Sequence, residues 1–274
     1  MFTLTGLEGK VAVVTGAGRM RSIGRPIAVE LARAGCDIVL TGTGRAPADY
    51  PNDEQAAGWR DIESVADEIR AVGRRALATV SNVADLASVS ALADRVDSDF
   101  GRVDIVVNNA GASRGSDRKP VVQLDPADWA KVLDVNLSGS FYMCKVFGQR
   151  LIDAGGGGSI VNISSIAGKM FSANTAAYAA SKAGLQALTA CMSKEVGQFG
   201  IRVNAICPGL IDTSRMDDIG RDDAWQRMID NMVPLGRAGS GDDIANIVVF
   251  LCSDQGAWVT GQSWNVDGGT VVQH

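Results

Sequence analysis

Histidine is almost absent from this chain of 274 residues, because the only one is His274 at the last position. Catalytic triads and metal sites that depend on histidine are therefore excluded. The five cysteines are scattered along the chain and form no C-x-x-C pair. We interpret them as reduced thiols, which predicts a cytoplasmic protein without structural disulfides and without a metal site.

Basic residues are fewer than acidic ones, 26 Lys and Arg against 31 Asp and Glu, so the formal net charge is −5. A basic surface for nucleic acid is therefore not expected. No apolar run approaches the roughly 18 residues that span a bilayer. The start, MFTLTGLEGK, lacks the basic and apolar regions of a signal peptide. We expect a protein that binds neither nucleic acid nor membrane.

Short apolar runs alternate with helical patterns along the whole chain, and 46% of the residues are hydrophobic. Runs rich in Val and Ile are typical of strands that are buried on both faces of a parallel sheet. They occur at 11–15, 37–41, 75–80, 103–108, 159–164, 201–206 and 263–267. The alternation predicts an α/β fold: a doubly wound parallel sheet of about seven strands with helices on both faces, as one domain over residues 1–274.

Three polar segments interrupt this alternation, and each follows a predicted strand: residues 42–58, 112–120 and 212–240. Ligands bind at the carboxyl edge of the strands in such sheets. We therefore expect these segments to surround the binding site, with 212–240 as a helical lid. Candidates for an apolar lining of the lid are Met216, Ile219 and Met228.

Seven short motifs follow one another along the chain: TG…G (15–24), NNAG (108–111), DVN (134–136), NISS (162–165), YAASK (178–182), PGLIDT (208–213) and NVDGG (265–269). In type, order and spacing they resemble the motifs of the classical short-chain dehydrogenase/reductase family, from Gly9 to Gly269. The resemblance implies a Rossmann fold and a nicotinamide dinucleotide cofactor. It also implies hydride transfer to a ketone or from a secondary alcohol, with 3-oxoacyl thioesters among the candidate substrates.

The resemblance assigns four catalytic residues. Tyr178 is the general acid/base that gives a proton to a carbonyl oxygen or takes it from an alcohol. Lys182 lies four residues further on the same helix face, where its charge favours the phenolate, and it bonds the nicotinamide ribose. Ser165, thirteen residues before the tyrosine, stabilises charge on the substrate oxygen. Asn136 positions a water that connects Lys182 to solvent.

The glycine-rich loop departs from the family pattern T-G-x-x-x-G-x-G, because five residues separate Gly16 from Ser22. It is two residues longer and resembles the loop of the divergent branch, the enoyl-acyl-carrier-protein reductases. Gly16 allows the tight turn after the strand, and the helix from Gly24 directs free N–H groups at the pyrophosphate. Ser22 offers a hydroxyl to a phosphate oxygen, and Ile23 follows it at the helix entrance.

In the family, an acid at the end of the second strand selects NAD, but Gly42 occupies that position here. Arg45 lies just beyond it, and Arg19 and Arg21 lie in the glycine-rich loop. Guanidinium groups bind a 2′-phosphate in a bidentate manner. We therefore predict that NADP(H) is favoured over NAD(H).

The alternative is a preference for NAD(H), which would follow if an acid of the 42–58 segment, Asp49 or Asp53, folds back toward the adenosine ribose.

Other cofactor contacts are implied by the resemblance. Asn82 and Val83 are expected at the adenine. The remaining contacts, near the nicotinamide, comprise Asn109, Ala110, Gly111, Pro208, Gly209, Ile211 and Thr213, together with Tyr178 and Lys182.

The substrate is expected over the nicotinamide, beside Tyr178 and Ser165. Arg114 and Arg118 are either solvated loop residues or partners of an acidic substrate. Further residues expected to form the walls are Ser113, Met170 and Phe171. The resemblance also implies a homotetramer that is assembled through the helices holding 128–153 and 176–199 and through the C-terminal strand, with Trp258 and Trp264 in an apolar run suited to an interface.

Two alternative functions stay open. The glycine-rich loop suggests enoyl-thioester reduction, but the enoyl branch separates its tyrosine and lysine by six residues, whereas three lie between Tyr178 and Lys182. The second alternative is a catalytically silent, dinucleotide-binding sensor. Such proteins typically lack the tyrosine or the lysine, and this chain has both.

Overall fold

The computed structural model describes residues 3–272, so His274 lies outside the described residues. Seven strands form one sheet in the order β3-β2-β1-β4-β5-β6-β7, and every neighbouring pair is parallel. The predicted fold class is confirmed, and a strand is present at each of the seven predicted places. The strands are β1 (Val11–Val14), β2 (Asp37–Gly42), β3 (Ala76–Val80), β4 (Ile105–Asn108), β5 (Gly158–Ile163), β6 (Ile201–Pro208) and β7 (Ser263–Val266).

The central strands are buried on both faces, which explains their continuous apolar sequences. Every residue of β1 and of β4 is buried. Valine and isoleucine dominate these strands because branched side chains pack well on a pleated surface. The strand order reverses between β1 and β4. The crevice outside the carboxyl ends of these two strands is therefore the expected ligand site of the fold.

Helices cover both faces of the sheet. They are α1 (Gly24–Arg33), α2 (Asn52–Ala56), α3 (Ile62–Ala71), α4 (Leu86–Phe100), α5 (Pro126–Leu133), α6 (Gly139–Ala154), α7 (Ala176–Val196), α8 (Asp223–Met232) and α9 (Gly241–Cys252). One buried apolar cluster joins the sheet to α1, α3 and α9, and a second joins it to α4, α6 and α7. These two layers hold the carboxyl ends of the strands in place and leave the polar segments free to form a site.

The polar segment 42–58 is folded. It contains a 3-10 turn at Pro47–Asp49 and the short helix α2. Glu54 of α2 is only 1% exposed, and its carboxylate accepts a hydrogen bond of 2.8 Å from the Met20 backbone N–H. The segment therefore returns to the glycine-rich loop and buries an acid against it.

Candidate active site

The turns after β1 and β4 are joined through one threonine. The Oγ1 atom of Thr15 accepts hydrogen bonds from the backbone N–H groups of Asn109 and Ala110, both at 3.0 Å. The Asn109 amide in turn donates to the carbonyls of Thr15 and Gly16, both at 2.9 Å. These contacts fix the NNAG segment against the start of the glycine-rich loop.

Two glycines of the loop are required by close approach of other atoms. Gly16 has a φ of +68°, and a Cβ there would lie 2.8 Å from the Cα of Ala110. A Cβ on Gly24, the first residue of α1, would lie 2.5 Å from the Asn109 amide nitrogen. Backbone without a side chain therefore lies at the start of the loop and at the helix N-terminus, where backbone N–H groups and the helix dipole favour an anion. This cradle fits the pyrophosphate of a dinucleotide.

Ser22 already makes two hydrogen bonds inside the loop. Its hydroxyl donates to the Arg19 carbonyl at 2.8 Å and accepts from the Arg25 N–H at 3.2 Å. The second contact is typical of a helix-capping serine. Ile23 is the residue before α1 and packs against the core. Ser22 therefore stabilises the helix entrance, and its contact with a phosphate stays a prediction.

The residues expected to be catalytic come from α7 and from the turn after β5. Tyr178 and Lys182 lie one helical turn apart on α7. Lys182 is buried; its Nζ donates to the Ile163 carbonyl at 2.7 Å and lies 5.8 Å from the centre of the Tyr178 ring. The Oγ atom of Ser165 accepts from the Ala167 N–H at 3.1 Å. The serine, the tyrosine and the lysine are thus held by local backbone contacts and by the helix.

Burial and charge act in opposite directions on Tyr178. Burial raises the pKa of its phenol, whereas the charges of Lys182 and Arg215, a hydrogen bond with Ser165 and the charge of Arg118 lower it. The net pKa of Tyr178 lies below its ordinary value. Burial also lowers the pKa of the Lys182 ammonium. A phenol with a lowered pKa suits acid/base catalysis, because its proton can be given and taken near the working pH.

Asn136 is fully buried in a π-helical turn, Asp134–Ser138, between α5 and α6. Its Oδ1 accepts from the Ala112 N–H at 2.8 Å, and its Nδ2 donates to the Ser181 hydroxyl at 3.0 Å. Such turns are frequent at functional sites. Asn136 therefore connects the segment after β4 to α7, and the water relay expected of it stays a prediction.

The other residues expected at the cofactor lie along the same edge of the sheet. Val83 is buried, whereas Asn82 is exposed and its side chain accepts from the Ala84 N–H at 3.1 Å. Ile211 forms an isolated bridge with Gly239, which ties together the two ends of the 212–240 segment. Ala110 and Gly111 lie in the turn after β4. Pro208 is the last residue of β6, and Gly209 and Thr213 lie in the segment that follows it.

Arg45 is held by two buried carboxylates that the sequence did not indicate. It forms ion pairs with Glu54 at 2.8 Å and with Asp61 at 2.9 Å. Asp61 has a φ of +52° just before α3. Its carboxylate lies over the glycine-rich loop, so that a Cβ on Gly18 would collide with it, and a Cβ on Gly42 would lie 3.5 Å from its Oδ2. An acid therefore lies beside the end of β2, although Gly42 itself carries none.

Arg21 connects three parts of the site. Its Nε donates to Asp53 at 2.7 Å, and its Nη2 donates to Asp217 at 2.6 Å. Its carbonyl accepts from the Ser214 N–H at 3.0 Å. Arg19, by contrast, takes part in none of the ion pairs found within residues 3–272. Of the three arginines expected to bind a 2′-phosphate, two are therefore bound to acids of the protein.

The 212–240 segment contains a 3-10 turn, Ser214–Ile219, followed by α8. Its buried apolar side chains are Trp225, Ile229 and Val233. The three candidates for an apolar lining, Met216, Ile219 and Met228, pack against this cluster. Those side chains thus contribute to a small core of the segment itself. Arg114 reaches this segment through an ion pair of 2.8 Å with Asp218. Three further expected wall residues are exposed: Ser113, Met170 and Phe171.

Sequence reasoning missed three charged residues of this site: Glu54, Asp61 and Arg215. Glu54 lies in a polar segment without an apolar period, and Asp61 takes a backbone conformation that no residue pattern indicates. Arg215 comes two residues after the PGLIDT motif, and this place at the start of a segment expected near the substrate was the available signal. Within residues 3–272, no group of three potential metal ligands comes together, and no helix is long and apolar enough to cross a membrane.

A sheet of this topology binds a dinucleotide where its strand order reverses, and the tyrosine beside that point can move a proton as hydride is exchanged. These features define an NAD(P)-dependent oxidoreductase. The chain belongs to the short-chain dehydrogenase/reductase family. A family model described as enoyl-(acyl carrier protein) reductase matches residues 16–271.

Curated relatives match nearly the whole chain. It is 34% identical to 2-dehydro-3-deoxy-D-gluconate 5-dehydrogenase of Escherichia coli K12, covering 97% of this chain and 97% of that protein. It is 36% identical to a 3-oxoacyl-(acyl-carrier-protein) reductase of Staphylococcus aureus Mu50, covering 95% and 97%. A solved protein described as a short-chain alcohol dehydrogenase, from Sinorhizobium meliloti 1021, superposes with a TM-score of 0.83 at 33% identity over 96% of each chain. The predicted family, reaction class and use of a nicotinamide cofactor are confirmed.

Proposed function

We propose that this chain interconverts a ketone and a secondary alcohol, with Tyr178 as the group that moves the proton. The observation that carries the proposal is the place of Tyr178 among three cations, Lys182, Arg118 and Arg215. Burial raises the pKa of the phenol, but these charges outweigh it and lower the pKa below its ordinary value. A nicotinamide cofactor, when bound, accepts a hydride from the alcohol carbon or returns it to the carbonyl carbon.

Each side chain has a distinct part in this reaction. For reduction, Tyr178 donates its phenolic proton to the carbonyl oxygen, and Ser165 donates a hydrogen bond to the same oxygen as charge develops there. For oxidation, the phenolate takes the proton of the alcohol. Lys182 stabilises that phenolate by its charge, and its hydrogen bond to the Ile163 carbonyl keeps the ammonium in position. Asn136 joins α7 to Ala112, the residue after the NNAG segment, through its contacts with Ser181 and with the Ala112 N–H.

Replacement of Tyr178 by phenylalanine tests the assignment. We expect Tyr178→Phe to abolish reduction of a carbonyl panel, followed through the absorbance of the reduced nicotinamide, because the proton donor is lost. Cofactor binding, measured by fluorescence titration, is expected to persist because the ring is kept. Turnover by this variant close to that of the unmodified protein would show that another group moves the proton.

Two substrate types are suggested by the relatives, one named for a dehydro-deoxy sugar acid and the other for 3-oxoacyl groups. Enoyl reduction is the second candidate, because the family model bears that description and the glycine-rich loop resembles that branch. The three-residue spacing between Tyr178 and Lys182 and the presence of Ser165 support carbonyl reduction instead. Matched 3-oxoacyl and enoyl thioesters separate the two: turnover of enoyl thioesters alone would favour the second candidate.

We propose NAD(H) as the preferred cofactor, in contrast to the NADP(H) expected from the sequence. The positive charges of Arg19 and Arg45 are matched by the negative charges of Glu54 and Asp61, so this region has little net charge to offer a 2′-phosphate. Arg21 is bound to acids on two sides. The carboxylate of Asp61 beside the end of β2 suits the hydroxyls of an unphosphorylated ribose.

We further propose that the protein works in the cytoplasm as a homotetramer. All five cysteines are free thiols, which fits a reducing compartment. Phe141 on α6 and Trp258 before β7 are exposed, the latter almost completely, whereas Trp264 stacks on Phe250 with ring centres 6.1 Å apart. Exposed aromatic side chains of this kind are enriched in interfaces. Light scattering on the purified protein tests the assembly, and a monomer would contradict it.

A further inference from the structure

Two arginines from different segments meet on the ring of the catalytic tyrosine. The Cζ of Arg118, in the 112–120 segment, lies 4.7 Å from the centre of the Tyr178 ring. The Cζ of Arg215, in the 212–240 segment, lies 5.0 Å from it. The Nη1 of Arg215 donates to the Ala112 carbonyl at 2.5 Å, which fixes this guanidinium beside the NNAG segment. Two polar segments that follow β4 and β6 thus each place a cation where the substrate must lie.

Acids of the protein neutralise these cations only in part. Arg118 lies 3.4 Å from the Asp117 carboxylate, yet its buried Nε forms no hydrogen bond within the described residues. Arg215 takes part in none of the ion pairs between side chains of residues 3–272. With Lys182 included, three positive charges lie around Tyr178, and Asp117 forms the one ion pair that Arg118, Arg215 or Lys182 makes within residues 3–272. A partly buried cation without an opposite charge is costly, so an anion bound beside these two arginines would be stabilised.

We propose that the substrate carries a carboxylate, as an oxo acid or the corresponding hydroxy acid, and that Arg118 and Arg215 bind this group. This inference rests on the proposed function, because it concerns the same site. Guanidinium groups match a carboxylate with pairs of parallel hydrogen bonds. Since both arginines lie on the ring whose hydroxyl faces the reacting oxygen, the carboxylate is only a few bonds from the reacting carbon. An oxoacyl thioester presents no anion at that distance from its ketone.

The first test compares each acid with its own methyl ester. Short oxo acids with the ketone at carbon 2, 3, 4 or 5 are assayed beside their esters, with NADH and with NADPH. We expect kcat/KM for the best acid to exceed that of its ester by at least about tenfold, the equivalent of roughly 1.4 kcal/mol. Equal turnover of acid and ester would overturn the inference and leave the proposed function intact.

Variants identify the residues responsible. Arg118→Met and Arg215→Met are each expected to reduce the acid-to-ester ratio about tenfold, mainly through KM of the acid, and Arg118→Lys to restore part of it. The acid-to-ester ratio of kcat/KM is the useful measure, because the acid and the ester are both reduced with the proton of Tyr178. A change in the pKa of Tyr178 therefore affects both substrates equally and cancels in the ratio. Lys119→Met is the matched control, since this exposed cation in the same segment is removed without contact to Tyr178. A ratio that falls equally in the Lys119 variant would show a general charge effect and overturn the inference.

A binding measurement tests the carboxylate site if the protein turns over none of the acids and esters. Thermal shift of the cofactor-loaded protein is then compared for the same acids and esters, and for the variants. Stabilisation by acids alone, lost in Arg118→Met, supports the carboxylate site even if the proposed reaction fails. Equal shifts for acids and esters overturn the site. A weaker affinity of Arg118→Met for NADH itself would assign the arginine to the cofactor and would also overturn it.

Discussion

The change of Asp61 to asparagine should move the cofactor preference toward NADPH. In the unmodified protein the Asp61 carboxylate holds the Arg45 guanidinium at 2.9 Å, and Glu54 holds it from the other side at 2.8 Å. Asparagine keeps the size of the side chain but removes its charge. One edge of the Arg45 guanidinium then faces no charged partner and is available to a 2′-phosphate, and the ribose hydroxyls of NADH lose the charged acceptor that we propose for them.

The magnitude follows from the kind of contact that is exchanged. A hydrogen bond to a charged group contributes about 1.5–3 kcal/mol, which corresponds to roughly a 10- to 100-fold change in affinity. Because NADPH gains such a contact while NADH loses one, the ratio of the two dissociation constants should change by at least about tenfold. The net charge of the region rises by one, which acts in the same direction.

Fluorescence titration with both cofactors measures this ratio directly and needs no substrate. The Trp59 indole N–H donates to the Gly18 carbonyl at 2.7 Å, so a fluorophore lies on the glycine-rich loop. Asp49, which was considered as an alternative acid at the ribose, is exposed and forms no ion pair within residues 3–272. Asp49→Asn is therefore the matched control, because it removes the same charge from the same segment without freeing an arginine. The reasoning is refuted if Asp61→Asn and Asp49→Asn give the same ratio, or if the unmodified protein already prefers NADPH.

Three further outcomes are expected. Arg45→Ala leaves two buried carboxylates without their partner and should lower the free energy of unfolding by about 3–5 kcal/mol in urea titrations. Its control is Arg33→Ala, which breaks an exposed ion pair and should lower the free energy of unfolding by at most about 1 kcal/mol. Equal losses in the two variants would contradict the expectation. Arg215→Gln removes a cation that lowers the pKa of Tyr178, the proposed base, so the acidic limb of the pH profile for oxidation of a neutral alcohol should move to higher pH. An unchanged limb would contradict the assignment. Gly16→Ala should abolish cofactor binding, because the added Cβ meets the backbone after β4. Gly73 has a similar φ but no atom near an added Cβ, so Gly73→Ala should keep binding and lose only about 1–2 kcal/mol of stability. Cofactor binding by the Gly16 variant would show that the close approach at Gly16 is not needed.

Local patterns in the sequence were sufficient for the sheet and for the pair on α7. Strands β1 and β4 are buried on both faces, so every residue in them lies in a buried environment and the sequence is a continuous apolar run. Tyr178 and Lys182 share a helix, and a spacing of four residues fixes their common face. The order of the strands is determined by no single segment, and it was not predicted from the sequence.

Contacts between distant segments could not be predicted in the same way. The burial of Glu54 depends on Met20 and Arg45, and nothing in the polar composition of 42–58 indicates that an acid will be covered. The orientation of Asp61 depends on a positive φ, which is usually found at glycine, so an aspartate at this position gave no indication of that conformation. The meeting of Arg118 and Arg215 on one ring requires two segments almost a hundred residues apart to come together.

The contacts of Arg21 have a consequence for the kinetic order of the enzyme. The same residue provides the backbone of the glycine-rich loop, bonds Asp53 of the folded 42–58 segment, and holds Ser214 and Asp217 at the start of the substrate-side segment. A displacement of the loop on nucleotide binding would therefore reach the 212–240 segment directly through Arg21. We therefore expect compulsory-order kinetics, with the dinucleotide entering before the substrate and leaving after the product.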